Sequence, residues 1–150
     1  MIASKLCSAS QPVAAQQPAQ AAHQPGVEGG RKDARVLQAV AAARSGGKVA
    51  LVNCVGEDAY TPQMVRNYKE DGIDTTWVFH EKGIASGHAL IMIGDAGNNY
   101  LAVAPGANYL LTPDKIMAAR QVFEDAGMVV MQYEITQETI QAVIDLANEM

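Results

Sequence analysis

The side chains able to do chemistry in this chain are few and scattered. His23, His80 and His88 lie far apart and in different expected elements, so none shares the short spacing with which one helix or loop presents zinc ligands. Each reads as a solvated or packed histidine. Without a Gly-x-Ser-x-Gly elbow around any Ser or Cys, nucleophilic chemistry of that type is not signalled. The nucleotide signatures are missing too: no glycine triplet of the dinucleotide type follows a strand, and no Gly-Lys-Ser/Thr phosphate loop occurs. Glu134 is the residue to select first. It follows the apolar run from Met128 to Gln132, and open α/β sheets place ligands just beyond the carboxyl ends of such strands. A carboxylate there can accept hydrogen bonds from two hydroxyl groups; it also reads as a solvated acid serving the next helix N-terminus. Gly56-Glu57-Asp58 reads as a strand-to-helix turn with acids near a helix start rather than as a metal site.

Those residues need elements to position them. Val36, Leu37, Val40 and Ala43 recur at helical spacing, and Gly46-Gly47 supply the positive φ that ends a helix. Lys48 to Val55 is a near-continuous apolar run, which predicts a parallel strand covered on both faces and ended by Gly56. Thr61-Pro62 predicts an N-cap and first turn for a helix with Met64, Val65 and Tyr68 on its apolar side, closed by Gly72. Thr75 to Phe79 is a short strand candidate. Ser86 to Ile93 and Asn99 to Val103, joined through Gly94-Asp95-Ala96-Gly97-Asn98, predict an antiparallel hairpin. Thr112-Pro113-Asp114 repeats the cap-then-proline start, with Ile116, Ala119, Val122 and Phe123 as the buried stripe and Gly127 as the stop. Met128 to Gln132 predicts another buried strand. Thr136 caps a last helix with Ile140, Val143, Ile144 and Ala147 as its stripe. Helices alternating with buried strands imply an α/β layer with right-handed crossovers.

Composition sets the outer limits. The 150 residues are 49% hydrophobic and 18% charged, the proportions of one globular domain. A net charge of −5 argues against nucleic acid as a partner, and no apolar run is long enough for a membrane span. Cys7 and Cys54 suggest neither a disulfide framework nor a paired metal spacing, so a reducing cytoplasm is the simpler setting. The first residues hold one charge, Lys5, and no secretory apolar core follows. Residues 1–28, rich in Ala, Gln and Pro, are expected to form a disordered tail, and order is expected within 29–150.

A linear series of segments carries a resemblance. In order it runs Gln38-Ala39-Val40-Ala41-Ala42-Ala43-Arg44, Val55-Gly56-Glu57-Asp58, Asp71-Gly72-Ile73-Asp74, Ser86-Gly87, Pro105-Gly106-Ala107-Asn108-Tyr109-Leu110-Leu111-Thr112-Pro113 and Gln132-Tyr133-Glu134. With that spacing the chain resembles the ribokinases, of the phosphofructokinase-B-type sugar kinases, from about Gln38 to Met150. The resemblance implies a partial ribokinase-like layered α/β sheet with flanking helices and a small antiparallel lid hairpin. It implies ATP-dependent phosphate transfer to the hydroxymethyl oxygen of a pentose, with ATP and Mg2+ as cofactors and a monovalent cation as a further candidate. The Ser86–Val103 hairpin then stands as both sugar lid and homodimer contact. Glu134 corresponds to a glutamate that contacts the sugar in ribokinases.

Gly29-Gly30 resembles the start of the family's Gly-Gly-Lys-Gly-Ala-Asn sugar-binding segment, with Lys32 as the candidate for its lysine. Here the chain departs from the pattern: about three extra residues follow Gly30, and Leu37 stands where the family has asparagine. An apolar side chain there forfeits a hydrogen bond to a sugar hydroxyl. The family's first strand with its Asn-x-Asp, and the Gly-x-Gly-Asp segment bearing the general base, have no counterpart in these 150 residues. Phosphoryl transfer depends on positioning and charge stabilisation, so this chain alone is expected not to turn over ATP. A non-catalytic interaction module dimerising through the hairpin is the alternative.

Overall fold

The computed structural model describes residues 2–5, 34–95 and 97–150. Its elements follow the alternation expected of an α/β layer. After β1 (Ile2–Lys5) come α1 (Ala34–Arg44), β2 (Lys48–Leu51), β3 (Asn53–Val55) and α2 (Thr61–Glu70). Then follow β4 (Val78–His80), the hairpin β5 (His88–Ile93) and β6 (Asn99–Ala104), and a 3-10 helix (Gly106–Leu110). The chain goes on through α3 (Pro113–Ala118), α4 (Arg120–Glu124), β7 (Met128–Val130) and α5 (Gln137–Glu149).

The strands form three small sheets: β2-β1-β7, β3-β4 and β5-β6. The apolar run from Lys48 is one line of chain broken at Val52, because its two halves pair on different edges. β1 takes Lys48–Leu51 antiparallel, while β4 takes Asn53–Val55 parallel. Residues alternate along this line between two cores. Val49, Leu51 and Val55 face a cluster with Ala39, Val40, Tyr68 and Ile73; Val52 and Cys54 face a second with Ile116, Phe123, Ile140, Val143 and Leu146. The strand is covered on both faces, as its composition predicts.

Several local expectations hold, and others are corrected. Gly46 and Gly72 take φ of 89° and 74° at the ends of α1 and α2. Gly72 N–H reaches Lys69 O and Ile73 N–H reaches Tyr68 O, closing the last turn of α2. Thr136 caps α5 as predicted, its side chain accepting from Thr139 N–H. The buried stripe of α5, however, is Thr139, Ile140, Val143 and Leu146, while Ile144 and Ala147 are exposed; the helix is rotated from the expected face because the Thr139 hydroxyl donates to Leu111 O. The helix after Thr112 divides at Ala119 into α3 and α4. β7 is shorter than Met128–Gln132, and Met128 is 49% exposed, since among the described residues β7 pairs on one edge only, with β1. Within the stretch expected to be a tail, Ile2–Lys5 forms β1 between β2 and β7. The remainder of that expectation, Met1 and residues 6–28, lies outside the described residues.

Candidate functional site

Strand direction decides which loops share an end of the layer. β1 runs antiparallel to both β2 and β7, so β2 and β7 run the same way; β3 continues β2, and β4 is parallel to β3. The carboxyl ends of β3, β4 and β7 therefore lie at one end. The turn Gly56–Asp58, the segment Glu81–Ser86 that leads into the hairpin, and the segment Met131–Glu134 all leave from it. This is the end at which parallel α/β layers bind ligands.

The hairpin is rooted there by a compact polar network. Asp58 Oδ1 accepts from Tyr60 N–H and Thr61 N–H, both at 2.9 Å, and its Oδ2 accepts from Ser86 N–H at 2.8 Å. Gly56 N–H donates to Ser86 Oγ at 2.9 Å, and the Ser86 and Thr61 hydroxyls pair at 2.8 Å. The cap of α2 falls one residue earlier than the sequence predicts. Tyr60 is the cap residue, Asp58 satisfies the first amides, and Thr61 is buried against Ser86. Partial burial pushes the Asp58 carboxyl up, but the hydrogen bonds from the Ser86 backbone and hydroxyl and from the Tyr60 and Thr61 amides outweigh it and hold its pKa at about 2. The sign follows from a depressed acid: its stabilisation is complete above the ordinary value of 3.8 and is lost as pH falls through about 2.

Close backbone packing completes the root. A Cβ on Gly56 would lie 2.3 Å from Ile84 O and from the Ala85 carbonyl carbon, and one on Gly87 would lie 2.2 Å from Asn108 Nδ2. Gly106 has φ of +50°, and its own Cβ would meet Ala85 O at 2.4 Å. The two legs of the hairpin thus cross where only glycine fits, and Ala107 N–H donates to Ala85 O across them at 3.0 Å.

Lys115 supports the same end from below. Its ammonium donates to the Glu81 carboxylate and to Leu110 O at 2.8 Å, lies 3.6 Å from Cys54 Sγ and sits 5.7 Å from the Phe79 ring centre. Burial pushes the ammonium down, but Glu81 and Cys54 more than reverse this and raise its pKa. Burial pushes the Cys54 thiol up, and Lys115 opposes that only in part.

A cleft of about 380 Å³ opens between the β3–α2 turn and the end of β4, with Gly56, Asp58, Thr61, His80 and Lys82 in its wall. A smaller one of about 170 Å³ lies at Lys48, Asp74 and Asp125. Glu134 lines neither. It is exposed, four residues beyond Val130, at the same end of the layer as the hairpin root. Leu37 is exposed on α1. Gly29, Gly30, Lys32 and His23 lie outside the described residues. His80 and His88 are exposed, with His88 Nδ1 3.1 Å from Ser86 O, and among the described residues no three His, Cys, Asp or Glu side chains are grouped to hold a metal ion. Sequence reasoning misses the Asp58–Ser86 network. Its only local signal is an acid just before a helix; Ser86, 28 residues on, carries none.

Comparison with known proteins agrees with this architecture. A family model described as pfkB family carbohydrate kinase matches residues 38–150, beginning just after the segment that departs from the family pattern. The chain is 38% identical over 106 residues to ribokinase from Bacillus subtilis, covering 71% of this chain and 36% of that protein. It is 32% identical over 112 residues to deoxyribokinase from Salmonella typhi, covering 75% and 37%. The structure of Arabidopsis thaliana ribokinase complexed with ribose and ATP superposes with a TM-score of 0.68 at 23% identity, covering 75% of this chain and 37% of that one, and so shows a shared fold. The chain thus spans little more than a third of the length of these relatives.

Proposed function

This chain belongs to the pfkB family of carbohydrate kinases, and from that premise we propose that it takes part in ATP-dependent phosphorylation of ribose or a related sugar at its hydroxymethyl group. The observation that carries this reading is the joint emergence of Glu134 and the hairpin root at the carboxyl end of the layer. A carboxylate at that end accepts sugar hydroxyls, and an apolar hairpin rooted beside it covers them from water. Gly29, Gly30 and Lys32 are the further sugar-binding candidates, and residues 29–150 together with β1 make up the partial α/β unit that bears the site. The relatives' names support a pentose, and the Arabidopsis complex supports ATP as phosphate donor.

Nucleotide and metal find few groups here. The described residues offer no cluster of three metal-ligating side chains, and the 150 residues hold neither a Gly-Lys-Ser/Thr loop nor a Gly-x-Gly-Asp segment. ATP as phosphate donor, with Mg2+ and a monovalent cation beside it, is proposed on family membership, and the 150 residues taken alone are proposed to be catalytically incomplete. Sugar binding is the property to measure. Equilibrium binding of labelled ribose should fall by roughly 10-fold or more in Glu134→Gln, the loss of a charged hydrogen-bond acceptor. Equal binding by both proteins, or none by the parent chain, would remove Glu134 from the site.

A second reading, homodimerisation through the hairpin, draws on a separate observation. The side chains of β5 and β6 are exposed almost throughout, Ile93 reaching 75%. The register puts Leu90, Met92 and Tyr100 on one face and Ile91, Ile93, Leu101 and Val103 on the other. A two-stranded ribbon is marginal alone, so both faces require cover. The first face closes over sugar and the second, the more apolar, meets a second copy. Light scattering should give twice the chain mass, and Ile91→Asp should return it to one; a parent chain that stays monomeric at every concentration excludes this reading. Among the described residues no helix is long and apolar enough to cross a membrane, and Cys54 is a free thiol in the core.

A further inference from the structure

The β5–β6 hairpin is exposed along nearly its whole length, so its stance relative to the layer is set where it joins the body. Two kinds of contact act there. The crossing at Gly87 and Gly106, with the Ala107–Ala85 hydrogen bond, holds the two legs to each other. Asp58 and Ser86 hold the outgoing leg to a different element, the β3–α2 turn, next to a backbone bond from Glu57 N–H to Ile84 O at 2.7 Å farther down the same leg. Rotation of the crossed pair as a unit leaves the first set intact and breaks the second. We propose that Asp58 is the positioning residue of the hairpin: its carboxylate, shared between the first turn of α2 and the Ser86 amide, fixes the angle at which the hairpin stands over the strand ends.

Only a carboxylate of this length fits the arrangement. Oδ1 serves two amides of the helix start and Oδ2 serves one amide of the hairpin leg, so both oxygens must accept. Asparagine keeps one acceptor and turns an N–H toward the other set of amides. Glutamate keeps both acceptors but sets them one methylene farther out. The Ser86 hydroxyl bonds Gly56 and Thr61 and also favours the charged Asp58 carboxylate, yet the Ser86 amide that meets Asp58 belongs to the backbone and survives replacement of the side chain.

The purpose of a fixed stance rests on the sugar-lid reading, but its test uses no sugar, so either can fail alone. In the full chain with Cys7→Ser, spin labels go on Asp95→Cys at the hairpin tip and Asn148→Cys on α5, both exposed, while buried Cys54 stays unlabelled. Pulsed dipolar distances should be narrow in the parent and in Ser86→Ala, and broadened in Asp58→Asn, with hydrogen exchange of α5 unchanged. The parent should broaden as pH falls from the ordinary carboxylate range toward 2, while Asp58→Asn, already broad, shows no such dependence. If Asp58→Asn does not fold, Asp58→Glu serves, with a shifted distance expected. A narrow, parent-like distribution in Asp58→Asn or Asp58→Glu, or equal broadening in Ser86→Ala, would overturn the proposal.

Discussion

Gly56→Ala should lower folding stability by about 3 kcal/mol or more, far beyond what one added methyl group ordinarily does. The backbone conformation is not the cause, because Gly56 is not among the glycines with positive φ, and alanine adopts its geometry freely. The cost comes from position. A Cβ there would meet Ile84 O, the Ala85 carbonyl carbon and the Ser86 amide nitrogen within 2.4 Å, and all three are backbone atoms that cannot swing aside. Moving them breaks the Gly56–Ser86 and Asp58–Ser86 hydrogen bonds, so the hairpin root opens as the strand end is relieved. Gly83→Ala is the contrasting case. Gly83 has φ of +72° but nothing near its Cβ, so only the backbone penalty of about 1 kcal/mol applies. Urea unfolding of both variants should separate them by their midpoints at a common slope. Similar midpoints would show that the strand end and the hairpin root are not packed as described.

The second large effect belongs to the core. Phe123 is fully buried at 0% exposure and shares a cluster with Val52 of the strand line, Ile116 of α3 and Ile140, Val143 and Leu146 of α5. Phe123→Ala should destabilise by about 3–5 kcal/mol through lost transfer energy and the cavity left behind. A domain of this size has about 5–15 kcal/mol in total, so the variant should lose a large share of its stability and melt well below the parent. Phe123→Leu fills most of the volume and should cost less than half as much, which distinguishes a packing role from any need for the ring itself. Thermal unfolding followed by circular dichroism reads both. A Phe123→Ala chain melting within a few degrees of the parent would mean that α4 does not join α3 and α5 in one core.

Much of this protein is legible along the chain. The hairpin, its Gly97 at φ 80°, the Thr136 cap, the glycine ends of α1 and α2 and the twin-faced strand line all rest on residues within a few positions of one another. Periods of 3.6 and 2, caps and turn residues express local energetics, which is why they can be read without a fold. The ordered series from Gln38 to Glu134 likewise identifies the carbohydrate-kinase family before any element is placed. Tertiary structure alone decided the rest. Which edge of Lys48–Val55 meets β1 and which meets β4, and hence the break at Val52, depends on partners far away in sequence. The same holds for the face α5 buries, settled by Thr139 reaching Leu111, and for Lys115 closing on Glu81. Asp58, by its position a helix-start acid, becomes the anchor of a hairpin leg only because the parallel pairing of β3 and β4 carries Ser86 back to it. A carboxylate shows its charge in the sequence; the donors that converge on it are chosen by the fold.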